Sequence, residues 1–372
     1  MFYLKKFSSF VFALSILLGL SSTAAANLDR QEINQLYGAL GRSSFETFTD
    51  FLEQLTGSGA GSSTTQGVAQ AYTAGDSLNA EQSTTLYRLL GVYTRLKYGP
   101  EALGTLSQLV AIDTSQVEGV EQHENPKFRL FAEVLGRIAG DFGLSFRNVD
   151  DRVYEITLEG SSEELVGFHA HADIVPVNPD LWILPDGTQL DPFELNLIGN
   201  RLYGRGAEDD KNGIVASLYA MKVIQEEGLS LARTLRLLVD TTEETSSTAI
   251  PYYFQNNPVP EYNIALDGSY PVVIAEKGYG TVMAQFPVRA SSGEGAEILS
   301  ISGGLATNQI PAASVVRIQT SQSNQLVSQL NEYGALYKAS NGDNFNIEAV
   351  AENDAVVLTV VGISAHSSEP ET

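Results

Sequence analysis

Cysteine is absent from all 372 residues. No disulfide can staple this fold, and no thiol is available for lipid attachment. Positive charge is scarce: 22 Lys and Arg stand against 45 Asp and Glu, for a formal net charge of −23. Nucleic acid and anionic membranes both demand a basic face, so neither is expected as a partner. Long apolar runs are missing too. Residues 10–20 are too short for a comfortable membrane span, and with Lys5 and Lys6 before them and Ala24-Ala25-Ala26 after, residues 1–26 read as an export signal. An exported, disulfide-free chain fits a bacterial periplasm or exterior, with no membrane attachment once the signal is removed. Histidine is rarer still, with four in the chain.

What remains is ordinary globular material: 43% apolar and 18% charged residues, in a chain long enough for two domains and a large core. Residues 27–98 read as a helical accessory segment. Helical spacing covers 29–40 and 45–55, with Ser44 as a cap for the second, and 80–97 forms another helix. Between them, 57–63 is a Gly/Ser linker by composition. From residue 99 the texture changes. Helices are expected at 102–112, 127–142 and 214–227. Strands are expected at 165–171, 234–239, 262–266 and 272–275, with an edge strand at 153–159. Strands alternating with helices imply an α/β fold with a mainly parallel sheet, whose ligands sit beyond the strands' carboxyl ends. After residue 278, strands at 281–288, 297–302 and 315–320, a helix at 324–333 and a hairpin of 345–351 and 355–361 suggest an inserted α+β domain spanning 279–372.

Four stretches carry chemistry. In Gly204-Arg205-Gly206-Ala207-Glu208-Asp209-Asp210-Lys211, three acidic residues in a row meet a strand-to-helix corner. They repel one another and call for a cation; Lys211 could be that cation, and a solvated acidic turn is the plainer reading. In His169-Ala170-His171-Ala172-Asp173, His171 and Asp173 share one face of a strand, and a carboxylate beside an imidazole orients it for a metal. A hydrogen-bonded core histidine is the commoner reading of any one of these. Thr242-Glu243-Glu244 ends an apolar strand with two carboxylates, one able to hold a metal and the other to take a proton. Asp267 follows a further strand. One histidine with several carboxylates at four strand ends suits zinc, and a carboxylate can bridge two ions.

Together, His-x-Asp-x-Val-Pro (171–176), Leu-Tyr-Gly-Arg-Gly-x-x-Asp-Asp-Lys (202–211), Thr-Glu-Glu (242–244), and Asp-x-x-Tyr-Pro-Val (267–272) with Glu276-Lys277-Gly278 resemble the M-20 peptidase family of co-catalytic zinc hydrolases. They look most like its bacterial, carnosinase-type dipeptidase branch, over roughly residues 100–372. The resemblance implies an exported hydrolase of dipeptides, or alternatively of N-acyl amino acids. Its zinc-hydrolase domain (99–278) would be followed by the α+β lid. It implies that His171 and Asp267 bind one zinc, Glu244 a second, and Asp209 both, with Asp173 orienting His171. Glu243 would be the general base for a water activated by the two ions. Asn308 and His366 would reach the substrate from the lid, His366 stabilising the oxyanion, and the Asp209–Asp210 peptide would be cis. His169 receives no ligand role. In the family, the second zinc's histidine and an Arg segment for the substrate carboxylate follow the lid. This chain ends at Thr372 without them, so its second zinc site lacks an imidazole, and a non-catalytic remnant that holds one zinc or none is the remaining alternative.

Overall fold

The structure is a computed structural model describing residues 28–184, 186–268, 273, 278, 280, 282–287, 295–307, 309–342, 344–353, 355–363 and, by backbone alone, 365–366. The signal-like residues 1–26, most of the expected strand 272–275, and Asn308 lie outside it. The described residues up to Thr105 form one compact unit together with Ala216–Leu231, and the rest form another.

The first unit is helical because its turns are well capped. Helix α1 (Arg30–Leu40) starts where the Asp29 carboxylate accepts the Glu32 N–H at 2.7 Å. Helix α2 (Phe48–Ser58) starts later than the spacing suggests, with Thr47 rather than Ser44 as its cap. The Gly/Ser stretch expected to be a linker is a tight corner into helix α3 (Ser63–Thr73). Gly59 ends α2 at φ 67° and Ser62 caps α3, so residues that read as flexible here serve as helix punctuation. The two helices expected at 80–97 and 102–112 are one, α4 (Ala80–Val110), with Pro100 inside it. Pro100 is exposed, and buried residues on both sides of it, Tyr93 and Leu109 among them, outweigh the lost backbone hydrogen bond. Phe45, Phe48, Phe51 and Tyr93 pack ring against ring at the centre of this unit.

The second unit holds the sheet that positions the site. After helix α5 (Pro126–Asp141) come β1 (Ser145–Val149), β2 (Val153–Leu158) and β3 (Leu165–His171). A small hairpin, β4 (Asn196–Ile198) and β5 (Arg201–Tyr203), precedes helix α6 (Lys211–Glu226), then β6 (Thr234–Asp240), the short helix α7 (Ala249–Tyr253) and β7 (Tyr262–Ala265). The order in the sheet is β1-β2-β6-β3-β7. Strands β6, β3 and β7 run parallel, whereas β1 and β2 are antiparallel additions on one side. Expected at an edge, β2 lies between β1 and β6 with every residue buried. Its polar member Glu155 faces not water but Arg147, Arg236 and the Tyr253 hydroxyl.

Beyond residue 295 an antiparallel sheet has the order β11-β12-β10-β8. It is built from β8 (Ala296–Gly303), β10 (Ala313–Thr320), β11 (Asn346–Glu352) and β12 (Ala355–Val361), with the short pair β9 (Gln309–Ile310) and β13 (Ala365–His366) beside it. Helix α8 (Ser323–Asn341) covers this sheet and is much longer than its apolar spacing implies. Asn331 tethers it to β11 through both the N–H and the carbonyl of Ala349. The strand expected at 281–288 is not formed by 282–287, which have no regular structure. Among the described residues no helix is long and apolar enough to cross a membrane.

Candidate metal centre

Because β6, β3 and β7 are parallel, their carboxyl ends lie along one rim of the sheet. His171 is the last residue of β3, Glu243 and Glu244 follow β6, and Asp267 follows β7. Asp209 arrives from the turn that opens α6. That turn needs its glycines. Gly206 sits at φ 74°, and a Cβ there would lie 2.6 Å from the Ile174 methyl; a Cβ on Gly213 would lie 2.4 Å from Asp210. Asp210 instead caps α6, accepting the Gly213 N–H at 3.2 Å, and the Asp209–Asp210 peptide is cis, as the resemblance implied.

The fully buried His171 is oriented by the main-chain carbonyl of Asp173, 2.9 Å from Nδ1. A carbonyl can only accept, so Nδ1 donates and Nε2 is left to face the acidic residues. Nε2 lies 2.8 Å from Asp209, 3.5 Å from Asp267 and 3.9 Å from Glu243. The carboxylate of Asp173 is farther from the ring, at 3.5 Å, and does other work. It accepts the main-chain N–H groups of Glu243 at 3.1 Å and Glu244 at 2.9 Å, locking the loop after β6 to the loop after β3.

Ligand atoms of His171, Asp209 and Glu244 lie within 4.8 Å of one another, and so do those of His171, Glu243 and Asp267. This crowding is electrostatically costly. Burial, and then repulsion by Asp209, push the Glu244 carboxyl up to about 8, and burial raises Glu243 as well. Burial also lifts Asp210 to about 7, against the pull of His171. Burial opposes a charge on His171, yet the carboxylates of Asp173, Asp209 and Asp267 around it outweigh this and hold its pKa well above the usual value. One imidazole cannot balance that many carboxylates. The donor set, a single nitrogen among carboxylate oxygens, is one that divalent cations take, so the residues present fit a metal cation.

Lys211 does not supply the missing charge. It is fully buried, donating to the carbonyls of Leu109 at 3.1 Å and Ile112 at 2.9 Å, with the Phe131 ring 5.6 Å away. Burial lowers its pKa to about 7. It serves as a peg that fixes the acidic turn to the end of α4. Nor does His169 join the cluster; its Nε2 is 3.6 Å from Asp240. Asn308 and the side chain of His366 lie outside the described residues; the backbone of His366 pairs with Gln309. Two residues that motif reading passed over border the centre. Arg205 and Trp182 stack with the guanidinium 5.3 Å from the ring centroid, and both line a cleft of about 620 Å³ together with Asp209. The available signal was a lone cation held between two glycines, Gly204 and Gly206.

The chain is 28% identical over 229 residues to a putative dipeptidase, YtjP, of Bacillus subtilis, covering 61% of this chain and 46% of that protein. It is 27% identical over 281 residues to the Beta-Ala-Xaa dipeptidase of Lactobacillus delbrueckii subsp. lactis, covering 72% and 55%. It thus spans about half the length of the curated relatives it matches. Among solved structures, human carnosine dipeptidase 1 aligns with 22% identity and a TM-score of 0.39, over 46% of this chain and 37% of that one. The model of peptidase family M20/M25/M40 matches residues 167–357, more than half of the sequence, and the chain belongs to that family.

Proposed function

We propose that this chain is the metal-binding part of an exported dipeptidase that uses two zinc ions. The observation carrying this reading is that residues from four separate stretches meet in two groups sharing His171 at the rim of the parallel strands, one with Asp209 and Glu244 and the other with Glu243 and Asp267. The dipeptidase names of the Bacillus and Lactobacillus relatives support the substrate class. The composition of residues 1–26 supports export, and an exported chain would begin at Asn27.

His171, Asp209 and Asp267 would hold one ion, and Asp209 and Glu244 the other. When bound, zinc supplies charge neutralisation and electrophilic polarisation of the scissile carbonyl. The protein's own residues supply the rest. Asp173 holds the backbone of Glu243 in place. Glu243 is then fixed to accept the proton of the attacking water at its carboxylate and deliver it to the leaving amine. Its raised pKa favours holding that proton between the two transfers. The test is hydrolysis of dipeptides beside N-acyl amino acids by the zinc-loaded chain, with and without chelator. Dipeptide cleavage that chelation abolishes is expected. Cleavage of acyl amino acids alone would replace the dipeptidase reading with a deacylase one, and undiminished turnover by Glu243→Gln would remove the base from the mechanism.

A further inference from the structure

Thr242 opens the loop that carries both glutamates. Those two side chains go to different groups around His171, Glu244 with Asp209 and Glu243 with Asp267. A loop that sends neighbouring side chains to separate ligand groups has little latitude, because turning one peptide moves both carboxylates. Asp173 fixes the middle of this loop through two amides. Its ends are fixed by Thr242. The Thr242 hydroxyl accepts the N–H groups of Thr248 and Ala249, each at 3.0 Å, and donates to Oδ1 of Asp240 at 3.1 Å. A hydroxyl has one proton and two lone pairs, so this one is used in full. The Thr242 carbonyl accepts the Ser247 N–H at 2.7 Å, and Ser247 turns the chain back at φ 49°. The Thr242 N–H is held by Asp240 as well, at 2.7 Å. Residues 243–247 thus form a loop clasped at its base, where Thr242 is 3% and Asp240 2% exposed. Asp240 is itself anchored at the tip of β6, its carbonyl accepting the Ala172 N–H at 2.7 Å. Valine has the shape of threonine and can make none of the three hydroxyl bonds; serine can make all of them.

We propose that Thr242 is a positioning residue for the metal centre, a role that rests on the metal-binding reading above. Its hydroxyl, anchored on Asp240, closes the loop on which Glu243 and Glu244 stand and sets the directions of the two carboxylates before a cation arrives.

The test measures zinc affinity of the full chain by competition with a chromophoric chelator, for the unaltered protein, Thr242→Val, Thr242→Ser and Thr241→Val. Thr241 is the control: it too is fully buried, and its hydroxyl bonds the Arg152 carbonyl at 2.8 Å, away from the loop. Thr242→Val is expected to weaken zinc binding about 10–100-fold and Thr242→Ser to restore it. Thr241→Val is expected to leave zinc affinity unchanged, although both valine variants lower the urea midpoint. Amide exchange of the unaltered, metal-free chain is followed by NMR alongside, so that a failure of Thr242→Val to fold does not end the test. The Thr248 and Ala249 amides should be protected before zinc is added. Rapid exchange of those two amides in the folded chain overturns the proposal and leaves the dipeptidase reading standing. So does equal zinc affinity across the four proteins, or a loss in Thr241→Val that matches the loss in Thr242→Val. An unaltered chain that binds no zinc removes the dipeptidase reading and the positioning role together.

Discussion

Two half-buried glutamates in this molecule are accommodated in opposite ways. Glu227, in the helical unit, accepts from the Tyr93 hydroxyl and from the Phe48 N–H at 2.9 Å, and Lys97 stands 3.5 Å away. Glu244, at the rim of the sheet, is pressed against Asp209 and Glu243 with one shared imidazole nearby. The first is a finished network whose charges and donors match. The second gathers more negative charge than the one nearby imidazole balances, which a bound cation would offset. A buried carboxylate is thus informative through its company, and excess negative charge that folding tolerates marks a place where something positive binds.

The contrast can be broken or sharpened by experiment. The largest effect is expected for Glu243→Gln: turnover should fall by about 10²–10⁴ while the zinc content measured by atomic absorption stays level. Next comes pH. In chelated protein, Glu244 and His171 have folded values above their unfolded ones. Their contribution to stability is present below the unfolded values and is lost as pH rises; for Glu244 the window runs from about 4.5 to about 8. Urea midpoints of the chelated chain should therefore fall across that window, and zinc should flatten the slope; a flat chelated profile would contradict the account. Glu227→Gln should cost about 1.5–3 kcal/mol of stability at neutral pH with or without zinc, because it breaks a charge-assisted set. Smallest is Tyr93→Phe, about 0.5–1.5 kcal/mol in the same denaturation assay. If Tyr93→Phe proved costlier than Glu227→Gln, the network would owe its strength to the hydroxyl and not to the charge.

Much of the centre was legible because it is built from short motifs at element ends. The span 165–171 matches β3 residue for residue, which puts His171 at the strand's tip. Asp209 and the glutamate pair sit at the corners expected of them. What was hidden depends on partners distant in sequence. Lys211 reads as a counter-ion beside three acids, yet its own partners are carbonyls about a hundred residues earlier. The antiparallel β1 and β2 could not be placed from alternation, because Glu155 mimics a solvent-facing residue while being paired inside. Pro100 and the 57–63 corner misled for a related reason: local propensity was overruled in one case by packing and in the other by capping. The cleft residues Trp182 and Arg205 belong to no periodic pattern and meet only in three dimensions.

The carboxylate of Asp173 has a consequence for redesign. Since it grips two successive amides, the glutamates that follow β6 cannot shift independently, and the placement of Glu243 and Glu244 is inherited from a residue on another loop. Re-spacing the pair for a different ion would have to begin at Asp173, with both glutamates left as they are.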